Sequence, residues 1–167
     1  MVDRSATSDA ARPGEPALRR RLVAIAAVTA VFGGLHFVDH VVRGRLVVAR
    51  RLNPAWDHSG WPFEARFSPF TISLVVVFLL LLGGIVFTLR GRLWAGYWLG
   101  VAIVLCLLVV QVHFLGGARS EFPSVIYHTY DRAAPGMAAL ADLAATIASL
   151  LVMAVNAVWV RRVSGHW

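Results

Sequence analysis

The sequence of 167 residues contains no lysine and a single cysteine, Cys106. One cysteine excludes a disulfide within the chain. Charged residues make up 15% of the sequence and hydrophobic residues 58%, whereas a soluble domain has about a quarter charged and roughly 45 to 50% apolar residues. Together with a mean hydropathy of +0.68, this predicts an integral membrane protein short enough to form one domain.

The sequence motifs of several soluble enzyme classes are also absent. The chain has no Gly-x-Ser-x-Gly element for a serine nucleophile and no glycine-rich phosphate loop. Its net charge of +7 arises from 16 arginines against 9 acidic residues, but these arginines lie at the ends of apolar runs, where they anchor helices at lipid headgroups. We therefore exclude nucleic acid as a partner and expect the lipid bilayer instead.

Four apolar runs are present, at about residues 22–42, 70–89, 93–115 and 137–160. Each is close to the roughly 20 residues that cross about 30 Å of hydrocarbon as a helix, the structure that satisfies backbone polar groups in lipid. The predicted fold is an all-α, antiparallel four-helix transmembrane bundle over residues 19–162. A disordered tail over residues 1–18 is predicted before it and a short tail over residues 163–167 after it.

The start of the first run has a second interpretation. Arg19, Arg20 and Arg21 followed by apolar residues are also typical of a signal peptide, including the twin-arginine type. However, the apolar run continues to Val42, well beyond the 7 to 15 residues of a signal core. We therefore expect this segment to remain as the first transmembrane helix.

The connections between the runs differ sharply in length. Residues 90–92 alone join the second and third runs, which predicts a tight hairpin. The other two connections, residues 43–69 and 116–136, are long and rich in aromatic residues, and loops of this length are usually functional or disordered. We expect both to be structured and to cap the same end of the bundle.

Arginine counting gives an orientation for this multi-pass protein in the cell membrane. Nine of the arginines lie on the side of the termini and seven on the side of the long loops. Because positive residues favour the cytoplasmic side, both termini are predicted to be cytoplasmic.

Ionisable residues form one layer near the loop end of the predicted bundle. His36, Asp39, His40 and Arg43 are spaced i, i+3, i+4 and i+7, and therefore share one helix face. A rise of 1.5 Å per residue places His113 and the fourth helix's Asp142 at a similar depth. Because such residues are costly inside a bilayer, they predict a functional site.

Imidazole and carboxylate groups are ligands for transition metals. The predicted metal site consists of His36, Asp39, His40 and His113, with Asp39 either a ligand or an acceptor that orients a histidine, and the expected ion is zinc, iron or copper. An alternative is haem b held between His40 and His113, and a third use is a proton path. Five further residues are possible contributors: Asp142, His58, Glu64, Glu121 and His128.

The spacing His36-x-x-Asp39-His40 is similar to one histidine box of membrane di-iron oxygenases. Those enzymes depend on several such boxes and this chain has one, so no family is identified. The functional hypothesis is redox or metal-dependent chemistry on a small or lipid-like substrate. The alternative is a non-catalytic accessory subunit of a larger membrane complex, or a homo-oligomer, in which Asp39 and Arg43 merely neutralise each other.

Overall fold

A computed structural model of the chain describes residues 14–49, 69–115 and 121–164, and the regular structure in these segments is helical. Most of the predicted N-terminal tail, most of the first long loop and residues 165–167 lie outside the described residues. The helices are α1 (Glu15–Ala49), α2 (Pro69–Leu89), α3 (Ala95–Val110), α4 (Pro123–Thr129) and α5 (Ala133–Ser164), and α3 continues directly into a π-helical turn, Gln111–Leu115.

The helix starts have local causes. α1 begins directly after Gly14, whose φ of +94° is unfavourable for other residues. Proline occupies the first turn of α1, α2, α4 and α5, where its missing N–H costs no helical hydrogen bond. These signals set α1 and α5 to begin earlier than the apolar runs do, and they create α4, a short helix that the sequence patterns did not predict.

Four of the helical segments are long and apolar enough to cross a membrane: Glu15–Leu46, Ile72–Leu89, Ala95–Leu115 and Ala133–Ser164. Large apolar side chains face outward along them, including Leu79 at 66%, Leu107 at 63% and Val155 at 67% exposure. A surface of this kind suits lipid contact. The prediction of an all-helical chain with four membrane-length helices is confirmed.

α5 is the central element of the packing and contacts α1, α3 and α4, while α2 packs mainly against α1. The buried core combines Leu22 of α1, Trp98 of α3 and Leu150 and Met153 of α5, each at most 2% exposed. Asp142 and Thr146 also belong to α5, the helix that carries Leu150 and Met153 of this core. The apolar packing therefore fixes the position of α5 relative to the two helices that carry the histidines.

The connection between α2 and α3 is tight, although it spans residues 90–94 and not 90–92 as expected. Gly91 has a φ of +91°, which glycine adopts without strain. A Cβ added at Gly84 would lie 2.7 Å from the ring of Trp98, so glycine permits the close approach of α2 and α3. The Trp98 Nε1–H donates a hydrogen bond to Oγ1 of Thr88 at 3.0 Å, which fixes the indole beside the turn.

Candidate metal centre

Three histidine rings meet in the interior of the protein. α1 supplies His36 and His40 from adjacent turns of one face, and the π-helical turn supplies His113. Nε2 of His36 lies 3.0 Å from Nε2 of His40 and 3.1 Å from Nε2 of His113. One nitrogen from each ring lies within 4.8 Å of the other two, and all three residues are buried. The sequence predicted that these three residues share one layer, and in the structure their rings are in contact.

His113 owes its position to a local change in helix geometry. It is the central residue of the π-helical turn that ends α3, and its side chain is 1% exposed. A π-helical turn adds a residue to the helical repeat and is common at functional sites. This turn directs His113 toward α1, where an unbroken α-helix would place it at a different angle.

The second nitrogen of each ring faces an oxygen acceptor. Nδ1 of His113 lies 2.7 Å from the backbone carbonyl of Glu121 and must donate a proton to it, because a carbonyl only accepts. Nδ1 of His40 lies 3.4 Å from Oε2 of Glu121, and Nδ1 of His36 lies 3.6 Å from Oδ2 of Asp142. The proton on Nδ1 of His113 leaves the lone pair of that ring on Nε2, which is how metal-bound histidines are usually oriented.

The three Nε2 atoms cannot all be satisfied by protons. With Nδ1 of His113 protonated, Nε2 of its neutral ring is a bare acceptor. A proton on Nε2 of His36 would then face two acceptors at once, and a second proton in the cluster would point at the first. A cation at the point where the lone pairs converge satisfies all three nitrogens together.

Buried charge around the rings is negative. Three carboxylates, Asp39, Glu121 and Asp142, have side chains 14% exposed or less, and one guanidinium, that of Arg43, is 1% exposed. When all four are ionised and the rings neutral, their formal charge is −2. Uncompensated charge is costly to bury. A divalent cation bound by neutral imidazoles would bring this set to zero.

Arg43 and Asp39 form a network beside the rings. The Arg43 guanidinium lies 2.8 Å from Oε2 of Glu121 through Nη2 and 3.1 Å from Oδ2 of Asp39 through Nε. The Tyr130 hydroxyl donates a hydrogen bond to the other oxygen of Asp39. Burial, together with this bond to a carboxylate, raises the pKa of Tyr130 above its ordinary value of 10.0, so Tyr130 remains a protonated donor.

Asp39 is therefore engaged by Arg43 and Tyr130, and it is not part of the group whose ligand atoms lie together. The pairing of Asp39 with Arg43 at i, i+4 is the neutralising contact that the sequence allowed as an alternative. Asp39 is therefore not among the ligand atoms that converge. Its role in the structure is to hold Arg43, which in turn contacts Glu121.

The five additional residues suggested by the sequence lie in different places. The carboxylates of Glu121 and Asp142 lie near the rings, 3.4 Å from Nδ1 of His40 and 3.6 Å from Nδ1 of His36, and the second of these distances is too long for a hydrogen bond. His128 is exposed on α4, where its ring contacts that of Tyr127 with centroids 5.0 Å apart, and it does not join the cluster. His58 and Glu64 lie outside the described residues.

Haem does not fit between the proposed axial pair. The ring centroids of His40 and His113 are 5.3 Å apart, and the ring of His36 touches both at their Nε2 atoms. Axial ligation needs a porphyrin plane between the two rings, where His36 leaves no space. The neighbouring cavity measures about 100 Å³, less than the engineered cavity of about 150 Å³ that holds benzene. The geometry of the three rings therefore excludes haem between His40 and His113.

Sequence patterns did not reveal the part played by Tyr130 or the double use of Glu121. Tyr130 appeared only as one aromatic residue in a long loop, and its contact with Asp39 joins residues 91 positions apart. Glu121 contributes its backbone carbonyl as well as its carboxylate. No spacing rule signals such contacts, because they depend on how the chain returns to the bundle after α3.

Comparisons with protein families, with curated proteins and with solved structures give no match to this chain. The function must therefore be argued from the site itself.

Proposed function

We propose that His36, His40 and His113 bind one divalent transition-metal ion. The observation that carries this proposal is the convergence of three Nε2 atoms, while Nδ1 of His113 donates to a backbone carbonyl and the other two Nδ1 atoms lie 3.4 and 3.6 Å from carboxylate oxygens. Nitrogens that share a tetrahedral zinc with bonds of about 2.0 to 2.1 Å lie about 3.3 Å apart. Two of the separations, 3.0 and 3.1 Å, are thus close to those needed, and the third, between His40 and His113, lies within 4.8 Å and would close toward the same value when the ion binds.

Among the ions that imidazole binds, we propose zinc, and hydrolysis is the chemistry that follows. Three histidines leave a fourth position open, which is the arrangement of catalytic zinc, where a bound water becomes the nucleophile. The cavity that borders all three rings is otherwise lined mainly by apolar side chains. We therefore propose metal-dependent hydrolysis of a lipid-like substrate. Iron and copper also bind imidazole and would instead support redox chemistry.

We further propose that the four long helices form an antiparallel bundle in the cell membrane, with the site near the end from which the long loops project. Two observations support this arrangement: the tight connection between α2 and α3, and the contacts of Glu121 and Tyr130 with residues near the end of α1. The arginine balance favours an orientation with both termini in the cytoplasm. The metal would then lie toward the outer face.

Elemental analysis of the purified protein tests the metal site. The full chain is prepared in detergent with a tag that contains no histidine, and zinc, iron and copper are quantified before and after dialysis against a chelator and reloading. We expect about one ion per chain. His36→Ala, His40→Ala and His113→Ala should each lose it, because two imidazoles hold the ion poorly. His128→Ala is the matched control, since this histidine is exposed outside the cluster.

Two outcomes overturn the proposal. One is a wild-type protein that binds no metal above background after reloading. The other is a stoichiometric metal that survives substitution of all three histidines. The accessory-subunit hypothesis would then be the better account, because the polar layer would serve only the cohesion of the helices. Circular dichroism of each variant confirms that the helices are retained, as expected for a bundle whose core is apolar.

A further inference from the structure

One cavity in the described part of the chain extends from the three histidines into the apolar interior. It is bordered by α1, α2, α3, the π-helical turn and α5. At one end lie His36, His40 and His113, and at the other Leu81 and Leu150. The lining therefore changes along the cavity from histidine rings to mainly apolar side chains.

The cavity is small but is bordered over a long stretch of α1. The lining residues of α1 run from His40 to Thr29, which corresponds to about 16 Å along the helix axis at 1.5 Å per residue. Its volume of about 100 Å³ has room for a short segment of a chain and not for a whole long chain. Phe37, Leu74 and Leu108, which also line it, are only half-buried, so the cavity approaches the lipid-facing surface between the helices.

Gly33 helps to keep this space open. It lines the cavity one turn deeper than Phe37, and a Cβ added there would meet no atom within 4 Å. Glycine in mid-helix is unfavourable by about 1 kcal/mol relative to alanine, and here no close contact requires its small size. The missing side chain instead adds to the cavity beside the site.

We infer that this cavity binds the head-group end of a single acyl chain, with the polar head group at the metal and the rest of the chain leaving through the half-buried side into lipid. The inference rests on the proposed metal site and adds the class of substrate: a single-chain amphiphile with an oxygen ligand at its head. The volume excludes a large ring system, the wall beyond the histidines is mainly apolar although Thr29, Ser73 and Thr146 also line it, and the half-buried side gives access from lipid. An acyl chain suits all three properties.

The experiment uses the full chain in detergent micelles, loaded with cobalt(II) in place of zinc, whose absorption spectrum reports its ligands. Two hydroxamates serve as probes, one with a twelve-carbon chain and one with a two-carbon chain. Gly33→Leu fills the cavity away from the metal. Gly100→Leu is the matched control, since a Cβ at Gly100 also meets nothing within 4 Å but that residue does not line the cavity.

We expect the long-chain probe to perturb the cobalt spectrum of the wild-type protein and of Gly100→Leu at similar concentrations. Gly33→Leu should bind cobalt and respond to the short probe normally, but need at least about ten times more of the long probe, the value of roughly two buried methylenes. Partition of the probe into micelles is the same for all three proteins, so it cancels from the comparison.

Equal responses of Gly33→Leu and wild type to the long probe, with cobalt bound, would overturn the acyl-chain inference and leave the metal site standing. So would a wild-type protein that responds to the short probe alone. Absence of cobalt from the wild-type protein would overturn the metal site, and with it the inference that rests on it.

Discussion

Glu121 is the residue that joins the histidines to the rest of the site. Its backbone carbonyl accepts the proton of His113 Nδ1, and its carboxylate lies beside both His40 and Arg43. The residue is 4% exposed although it belongs to a long connection. It therefore fixes the orientation of the His113 ring and places a carboxylate beside His40 from outside the membrane-length helices.

Replacing Glu121 with glutamine removes the negative charge behind the histidines and should lower metal affinity by about 10- to 100-fold, the usual effect of changing a partner behind a metal-bound histidine. The backbone carbonyl that holds His113 is kept, so binding should be weakened and not abolished. Competition with a chelator of known zinc affinity provides the measurement. Glu15→Gln is the control, because Glu15 pairs with Arg19 about 30 Å along α1 from His36.

An unchanged affinity in Glu121→Gln would mean that the carboxylate does not support the rings. A loss equal to that in Glu15→Gln would have the same meaning, since it would reflect a general effect of removing an acid.

Tyr130 gives a prediction about pH. Its raised pKa means that the unfolded chain ionises this phenol near pH 10 while the folded chain does not. The stabilising contribution of Tyr130 is therefore complete below about pH 10 and is lost as the pH rises above that value. Tyr130→Phe should lower the free energy of unfolding by about 1 kcal/mol at neutral pH, through the lost bond to Asp39.

The difference in unfolding free energy between wild type and Tyr130→Phe should then shrink between about pH 8 and pH 11. Chemical unfolding followed by circular dichroism at the two pH values measures it. Tyr127→Phe controls for the removal of a phenol from the neighbouring helix. A difference that is constant or grows with pH would contradict the assignment.

For the individual residues of the site, the sequence predicted which of them lie close together but not which pairs are in contact. Spacing along α1 placed His36, Asp39, His40 and Arg43 on one face, and helix length placed His113 at their depth. Whether Asp39 meets a histidine or Arg43 depends on side-chain contacts with Glu121 and Tyr130, which come from distant parts of the chain. Periodicity contains no information about such contacts.

Among the elements, α1 is the one on which the site depends most. Its 35 residues span about 52 Å, longer than the hydrocarbon core of a membrane. Near its C-terminal end, Arg43 and Asp39 contact Glu121 and Tyr130, which flank α4. These contacts attach the segment that follows α3 to the end of α1.

Arg43→Gln should destabilise the protein by about 3 to 5 kcal/mol, because it leaves the buried carboxylates of Asp39 and Glu121 without their cation. Arg45→Gln, two residues later on an exposed position, should change stability by no more than about 0.5 kcal/mol. Unfolding by a denaturing detergent, followed by circular dichroism, compares the two.

Equal stability of the Arg43 and Arg45 variants would show that the buried ion pairs contribute nothing to the attachment. The loss of stability caused by Arg43→Gln should be smaller in the metal-bound protein than in the metal-free protein. The bound cation would offset part of the negative charge that Arg43 no longer neutralises.

The elements themselves were predicted to different degrees. Apolar runs located all four long helices, because membrane-length hydrophobicity is a strong signal. They did not show that α1 extends from Glu15 to Ala49, that α4 exists, or that α3 ends in a π-helical turn. Those features arise from proline positions and from packing at the polar end, where hydrophobicity no longer decides the structure.

For the whole molecule, orientation in the membrane is the main prediction that rests on sequence alone. Cysteine accessibility tests it in a Cys106→Ser background, with Arg90→Cys at the connection between α2 and α3 and Arg132→Cys before α5. Both positions are exposed. A membrane-impermeant maleimide added to intact cells should label residue 132 and should label residue 90 only after the membrane is opened.

Labelling of residue 90 alone in intact cells would invert the orientation. Labelling of both positions from one side would contradict the bundle, because α3 is the one membrane-length helix between residues 90 and 132 and should place them on opposite sides.

The three-histidine metal centre is the claim on which the functional account rests, and X-ray absorption spectroscopy at the zinc edge tests it most directly. The full chain, loaded with one equivalent of zinc in detergent, should show three imidazole nitrogens at about 2.0 to 2.1 Å and one oxygen. His128→Ala should give the same spectrum, and His113→Ala should lose an imidazole or the ion itself. Zinc surrounded by oxygen alone, or bound through the sulfur of Cys106, would contradict the account.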